Sequence, residues 1–103
     1  MSKVYISGKI TGLPQSEYME NFMRAEQKMK KAGYSVINPA KINAMLPIDT
    51  TWEQYMKVSI TLLNMCDAIY MMDNWKDSRG AMMEYDQARY VGMKIIFESE
   101  VAD

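Results

Sequence analysis

The polar and apolar positions of the chain fall into short runs that alternate in period. Lys3-Val4-Tyr5-Ile6-Ser7 is a β-branched and aromatic run that stops at Gly8, which predicts a strand; residues 8–14, bracketed by Gly8 and Gly12, read as a loop. From Ser16 onward Tyr18, Phe22, Ala25, Met29 and Ala32 recur at steps of four and three with charged residues between them, predicting an amphipathic helix that ends before Gly33. Tyr34-Ser35-Val36-Ile37 reads as a second strand, cut by Asn38-Pro39, and residues 38–50, which also hold Pro47, read as a long irregular connection. Thr51 caps a helix from Trp52 to about Met65, whose apolar stripe of Trp52, Tyr55, Met56, Leu62, Leu63 and Cys66 has Ser59 inside it. Ala68 to Met72 reads as a strand, Asp73 to Asp77 as a loop, Ser78 as the cap of a helix ending near Gly92, and Lys94 to Phe97 as a last strand. The acidic tail after it is expected to fray.

This order, β-α-β-α-β-α-β, predicts an α/β fold in which parallel strands are joined by right-handed crossovers. The expected architecture is one doubly wound sheet of about four strands, flavodoxin-like or Rossmann-like, with helices on both faces. Ligands of such sheets bind outside the carboxyl ends of the strands, where the loops after the first and third strands, 8–14 and 73–78, would lie side by side.

The length of 103 residues suits one domain, 1–103, with one core. Lys and Arg number 12 against 13 Asp and Glu, with no basic run, so neither polymeric nucleic acid nor an anionic membrane is the expected partner; a small molecule is. A single Cys66 excludes a disulfide framework within the chain, and the lack of an amino-terminal apolar run or a long apolar stretch points to the cytoplasm. With no histidine, Ser-His and Cys-His pairs and His-ligated metals are excluded, which leaves carboxylate, tyrosine, lysine or serine chemistry. No metal and no cofactor is called for. The 12 methionines read as core packing, with some at a subunit contact.

Three features could carry chemistry. Gly8 and Gly12 bracket a loop whose backbone N–H groups could face an anion, with charge added by Lys9, although the same glycines could serve turn geometry alone. Ser78, as a helix cap, stands at a helix start that also suits a phosphate. Glu84 is the most telling: its helical neighbours are Gly80, Ala81, Ala88 and Val91, so its carboxylate projects from a face of small or apolar residues. Either it reaches solvent at the helix edge, or it faces a cavity where desolvation tunes it as a nucleophile or base. Asp67, Asp73 and Asp77 read as turn or cap residues, and Tyr5 as core.

Taken together, Tyr5-Ile6-Ser7-Gly8-Lys9-Ile10-Thr11-Gly12, Cys66-Asp67-Ala68-Ile69 and Ser78-Arg79-Gly80-Ala81-Met82-Met83-Glu84 with Ala88 resemble the nucleoside 2-deoxyribosyltransferase superfamily. Within it the chain is similar to small deoxyribosyltransferase-like proteins of phages and bacteria, with 2'-deoxynucleoside 5'-phosphate N-hydrolase as an enzymatic cousin. The resemblance implies that Glu84 is a nucleophile for the anomeric carbon of a deoxyribose, with Tyr5 beside the sugar. It places Gly8, Lys9, Ile10 and Gly12 along the pocket, together with Gly80, and has Ser78 meet a substrate phosphate. Ser59 stands where the enzymes carry an aspartate that helps bind the sugar or protonate the base. A dimer or larger homo-oligomer is implied as well. Two functions follow: cleavage or transfer of the N-glycosidic bond of a 2'-deoxynucleoside (5'-monophosphate), or binding of a nucleotide or nucleotide signal without turnover. A purely structural protein is a third.

Overall fold

The structure, a computed structural model, describes residues 2–101. Its sheet has four strands, β1 (Lys3–Ser7), β2 (Ser35–Ile37), β3 (Ala68–Met71) and β4 (Lys94–Phe97), in the spatial order β2-β1-β3-β4, and every neighbouring pair is parallel. The helices are α1 (Gln15–Lys31), α2 (Pro39–Asn43), α3 (Trp52–Leu63) and α4 (Arg79–Tyr90), with short 3-10 turns at Asp73–Asp77 and Glu98–Glu100. The expected doubly wound α/β architecture is therefore the one observed.

Alternation along the two central strands divides the core. Val4 and Ile6 of β1 and Ala68 and Tyr70 of β3 face Phe22, Ala25 and Met29 of α1 and Ala40 of α2. Tyr5, Ile69 and Met71 face the opposite side, with Leu63 of α3 and Ala88 of α4. Both faces of the sheet are thus covered, as parallel strands require. The chain runs from β1 to β2 on one side and reaches β3 on the other, so the topological switch point lies between β1 and β3. Their carboxyl-end loops touch: the Lys9 N–H donates to Asn74 Oδ1 at 3.0 Å.

Three expectations need correction. The connection over 38–50 is not irregular throughout, because Asn38 accepts from the N–H groups of Ala40 and Lys41 while Pro39 occupies the first turn, starting α2. The Asn-Pro pair read as a strand breaker is equally a helix initiator, and a buried carboxylate on α1 decides between the two. Glu26 accepts from Asn38 Nδ2 at 3.1 Å and pairs with Lys30 at 2.9 Å and Lys41 at 3.1 Å. Burial pushes the Glu26 carboxyl up, yet these donors more than offset it and hold the group below the usual range. The stretch 73–77 is a 3-10 turn rather than a loop. The acidic tail is ordered over Glu98–Glu100, where Glu98 Oε1 accepts the Asp73 N–H at 2.7 Å; Met1, Ala102 and Asp103, the ends of the expected 1–103 domain and of that tail, lie outside the described residues. Among the described residues no helix is long and apolar enough to cross a membrane.

Candidate active site

A cleft of about 610 Å³ opens at the carboxyl end of β1, within the size range of small-molecule sites. The loop after β1, α1, α2, α3 and the first turns of α4 all line it. Of the residues singled out in the sequence, Tyr5, Gly8, Ile10, Ser59, Ser78, Gly80 and Glu84 meet here.

Glu84 is buried, 6% exposed, and takes the cavity-facing alternative of the two that its neighbours allowed. Tyr5 Oη donates to Glu84 Oε2 at 2.5 Å, and Ser7 Oγ donates to Oε1 at 2.7 Å. Residues two apart on a strand share a face, so Tyr5 and Ser7 reach α4 together. Ser7 escaped the sequence reading, although this spacing from Tyr5 is a signal that could have found it. Burial pushes the Glu84 carboxyl up to about 7, against the opposing pull of the two hydroxyl donors. Tyr5 is held well above its usual value by burial and then by the Glu84 charge, with a hydrogen bond to Ser59 acting the other way, so the phenol stays protonated as a donor. Ser59, buried on the inner stripe of α3, therefore belongs to the same cluster.

Thr51 starts α3 with a reciprocal capping box, accepting from Gln54 N–H while the Gln54 side chain accepts from Thr51 N–H. At the start of α4, Ser78 Oγ accepts the Ala81 N–H at 3.1 Å. The N–H groups of Arg79 and Gly80 in that first turn have no intrahelical acceptor by position. The Arg79 guanidinium lies over the Trp52 ring, 4.2 Å from its centroid, and both residues line the cleft. Arg79, Trp52, Tyr55 and Asn43 are cleft residues that the periodicity could not distinguish from ordinary surface and core positions. A Cβ at Gly80 would sit 3.1 Å from Met56 Sδ, so the bare backbone lets α3 and α4 approach.

Lys9 and Gly12 are not among the lining residues. The Lys9 N–H is already taken by Asn74, which leaves it unavailable to an anion. Gly12 has φ 92 and sits in a turn closed by Leu13 N–H to the Ile10 carbonyl, so turn geometry accounts for it. At Gly8 an added Cβ would lie 2.2 Å from Met72 Cε, the movable end of that side chain, and 3.2 Å from Asn74 Oδ1, so the bare backbone eases the approach of this loop to the one after β3. Of the aspartates read as turn or cap residues, Asp77 lines the cleft and Asp73 lies in a separate groove beside α1. Among the described residues, no group of three His, Cys, Asp or Glu side chains converges as a metal site would.

The fold and the cleft together define the class: a doubly wound parallel α/β protein with a buried, hydroxyl-braced glutamate at its switch point. Residues 2–97 match the family described as a domain of unknown function (DUF4406), and the chain belongs to that family. Its fold is that of a solved 2-deoxyribosyltransferase from Bacillus psychrosaccharolyticus, with a TM-score of 0.73, 17% sequence identity, and coverage of 99% of this chain and 77% of that one. No curated protein sequence matches the chain.

Proposed function

We propose that the cleft cleaves or transfers the N-glycosidic bond of a 2'-deoxynucleoside, preferably as its 5'-monophosphate, through a covalent deoxyribosyl-glutamate intermediate. The observation that carries this reading is Glu84, a carboxylate buried in a ligand-sized cleft and oriented through both oxygens by Tyr5 and Ser7. Each carboxylate oxygen has two lone-pair directions, so a bond to Tyr5 or Ser7 leaves one free for attack. Desolvation that raises its pKa to about 7 also makes the ionised group more nucleophilic.

In the first step a Glu84 oxygen bonds to the anomeric carbon while the C–N bond breaks, and that bond's electron pair leaves with the base, which takes up a proton from solvent or from Asp77. In the second, water or another base attacks the anomeric carbon, the ester bond breaks, the Glu84 carboxylate is regenerated, and the attacking group gives up its proton. Two displacements on one carbon parallel the retaining glycosidases. The start of α4, with Ser78, the first-turn N–H groups and the Arg79 charge, suits a 5'-phosphate. The similarity in fold to a 2-deoxyribosyltransferase supports the same class of chemistry. The reading includes a single domain acting in the cytoplasm as a homo-oligomer, for which the exposed Met82, Met83, Tyr90 and Val91 at α4 offer a contact surface.

Incubation with a panel of deoxynucleosides and their monophosphates, followed by chromatography for free base, tests the proposal. Wild type should release base, and Glu84→Gln should bind substrate without releasing any, because the anionic nucleophile alone is lost. Ser59 favours a second reading, nucleotide binding without turnover: a hydroxyl stands where an acid would assist the leaving base, and general-acid assistance is worth about 10²- to 10⁴-fold. Base release by no wild-type sample, combined with a nucleotide-dependent rise in melting temperature, would decide for binding. Ser59→Asp should then produce measurable hydrolysis.

A further inference from the structure

We infer that Ser7 is a positioning residue for the second half of the proposed reaction: it holds Oε1 of Glu84 from the sheet side, leaves Oε2 as the attacking oxygen, and helps the carboxylate depart from the deoxyribosyl ester. The inference rests on the proposed N-glycosidic chemistry and adds which oxygen reacts and which step the serine governs. Tyr5 and Glu84 line the cleft, whereas Ser7 does not and is only 1% exposed. The two hydroxyls therefore reach the carboxylate from different sides. Tyr5 Oη holds Oε2 at 2.5 Å within the lining, and Ser7 Oγ holds Oε1 at 2.7 Å from the sheet. An anomeric carbon entering the cleft meets Oε2. The serine is also firmly placed: β1 lies between β2 and β3, Ser7 pairs in register with Met71, and its carbonyl accepts the Met72 N–H at 2.9 Å. With one heavy-atom torsion to fix, its hydroxyl is held at little cost in side-chain freedom.

The charge on Glu84 falls in the first step and returns in the second. Before reaction its two oxygens share one negative charge, so Ser7 donates to an anion, the stronger kind of hydrogen bond. When Oε2 bonds to the anomeric carbon and the C–N electron pair leaves with the base, Oε1 becomes the carbonyl oxygen of a neutral ester, and the bond from Ser7 weakens. In the second step the attacking water or base bonds to the anomeric carbon and gives up its proton, while the bond from that carbon to Oε2 breaks and its electron pair returns to the carboxylate. Part of the returning charge falls on Oε1, where Ser7 already stands. Its hydrogen bond therefore strengthens toward that transition state, which is the condition for accelerating a step. Burial acts in the opposite sense. Desolvation that raises Glu84 to about 7 makes the anion a reactive nucleophile and, for the same reason, a reluctant leaving group. A donor fixed on the oxygen that does not attack offsets that reluctance without obstructing the cleft.

The lifetime of the ester tests this. Protein is mixed with dAMP, dGMP, dCMP or dTMP, stripped of free nucleotide by rapid gel filtration, and followed by intact-mass spectrometry as the deoxyribosyl adduct decays. In Ser7→Ala the adduct should persist about tenfold longer or more than in wild type, the rate equivalent of losing one hydrogen bond to a developing charge. Ser7→Thr, which keeps the hydroxyl, should restore a short lifetime, and Ser7→Val should not. Threonine and valine have the same shape, so any strain from the added methyl is common to both and their difference reads the hydroxyl alone. That pair carries the test without the alanine variant. An adduct that decays as fast in Ser7→Ala as in wild type, or equally slowly in the threonine and valine variants, overturns the inference and leaves the proposed function standing. So does base release by Ser7→Ala with no detectable adduct. Wild type that yields neither free base nor adduct from any deoxynucleotide overturns the proposed function, and the inference with it.

Discussion

Replacing Glu84 by Gln should stabilise this protein above neutral pH and do little to its stability near pH 5. The carboxyl rises from an ordinary value of 4.5 to about 7 on folding, chiefly through desolvation. Between those two values the folded state holds a proton that the unfolded state has released, so stability falls as pH rises through the window, and the full cost is present above 7. At 1.36 kcal/mol per unit, the cost of keeping the anion buried at pH 8 is about 3 kcal/mol, against less than about 1 kcal/mol at pH 5. Glutamine has nearly the same volume and no charge. Its carboxamide oxygen can accept from one of the two hydroxyls while its NH₂ donates to the other, since a tyrosine or serine oxygen both donates and accepts. All other titrating groups are common to the two proteins and cancel in the difference. For a chain of this size about 3 kcal/mol corresponds to a melting-temperature gain of about 10 °C or more. The assay is thermal denaturation followed by circular dichroism at pH 5 and pH 8, on wild type and variant. A gap of the same size at both pH values, or a variant that melts below wild type at pH 8, would refute the reasoning from desolvation. The expected gain is the stability that the native protein gives up to keep a charge at its cleft, a familiar trade at functional sites.

Tyr5→Phe removes a hydrogen bond that stabilises the Glu84 anion, so the carboxyl should rise beyond about 7; base release, which requires the ionised form, should start at higher pH and fall about tenfold or more at pH 7. A pH–rate profile with an unmoved limb would separate Tyr5 from the nucleophile. Monophosphates should bind more tightly than the matching nucleosides, and Ser78→Ala should narrow that difference while costing about 1 kcal/mol of stability through the lost cap, as calorimetry and urea denaturation will show. Asn38→Ala removes both the cap of α2 and a donor to buried Glu26, with an expected cost of about 1–3 kcal/mol. Because the folded Glu26 carboxyl lies below 4.5, its pairing stabilises the protein above that value. The contribution is lost as pH falls through the folded value, so the gap between wild type and Glu26→Gln should close in acid.

The four strands and the three long helices are legible in the chain because each announces itself locally. Val4, Tyr5 and Ile6 form a β-branched and aromatic run; Phe22, Ala25 and Met29 repeat with the helical period; Thr51 and Ser78 mark helix starts with side chains that can take up a free N–H. The order of elements then implies parallel crossovers and a switch point. The face of small residues around Glu84 was enough to mark that carboxylate as one with two possible fates. Its fate was not legible, since the bond from Tyr5 spans 79 residues and that from Ser7 spans 77.

Long-range packing also decided the parts that local pattern misread. Asn38-Pro39 starts a helix because Glu26, 12 residues earlier, holds the Asn38 carboxamide and Lys41 in place. The Lys9 backbone N–H is engaged because Asn74, 65 residues later, takes it. Arg79, Trp52 and Asn43 face a common cleft only once α2, α3 and α4 are assembled at one end of the sheet. The chain by itself determined the periodic elements, their order and the residue types available for chemistry, because propensity and alternation act over a few residues. Only the tertiary structure decided which polar groups find partners and which face the cleft, because hydrogen bonding and desolvation depend on neighbours that the sequence holds far apart.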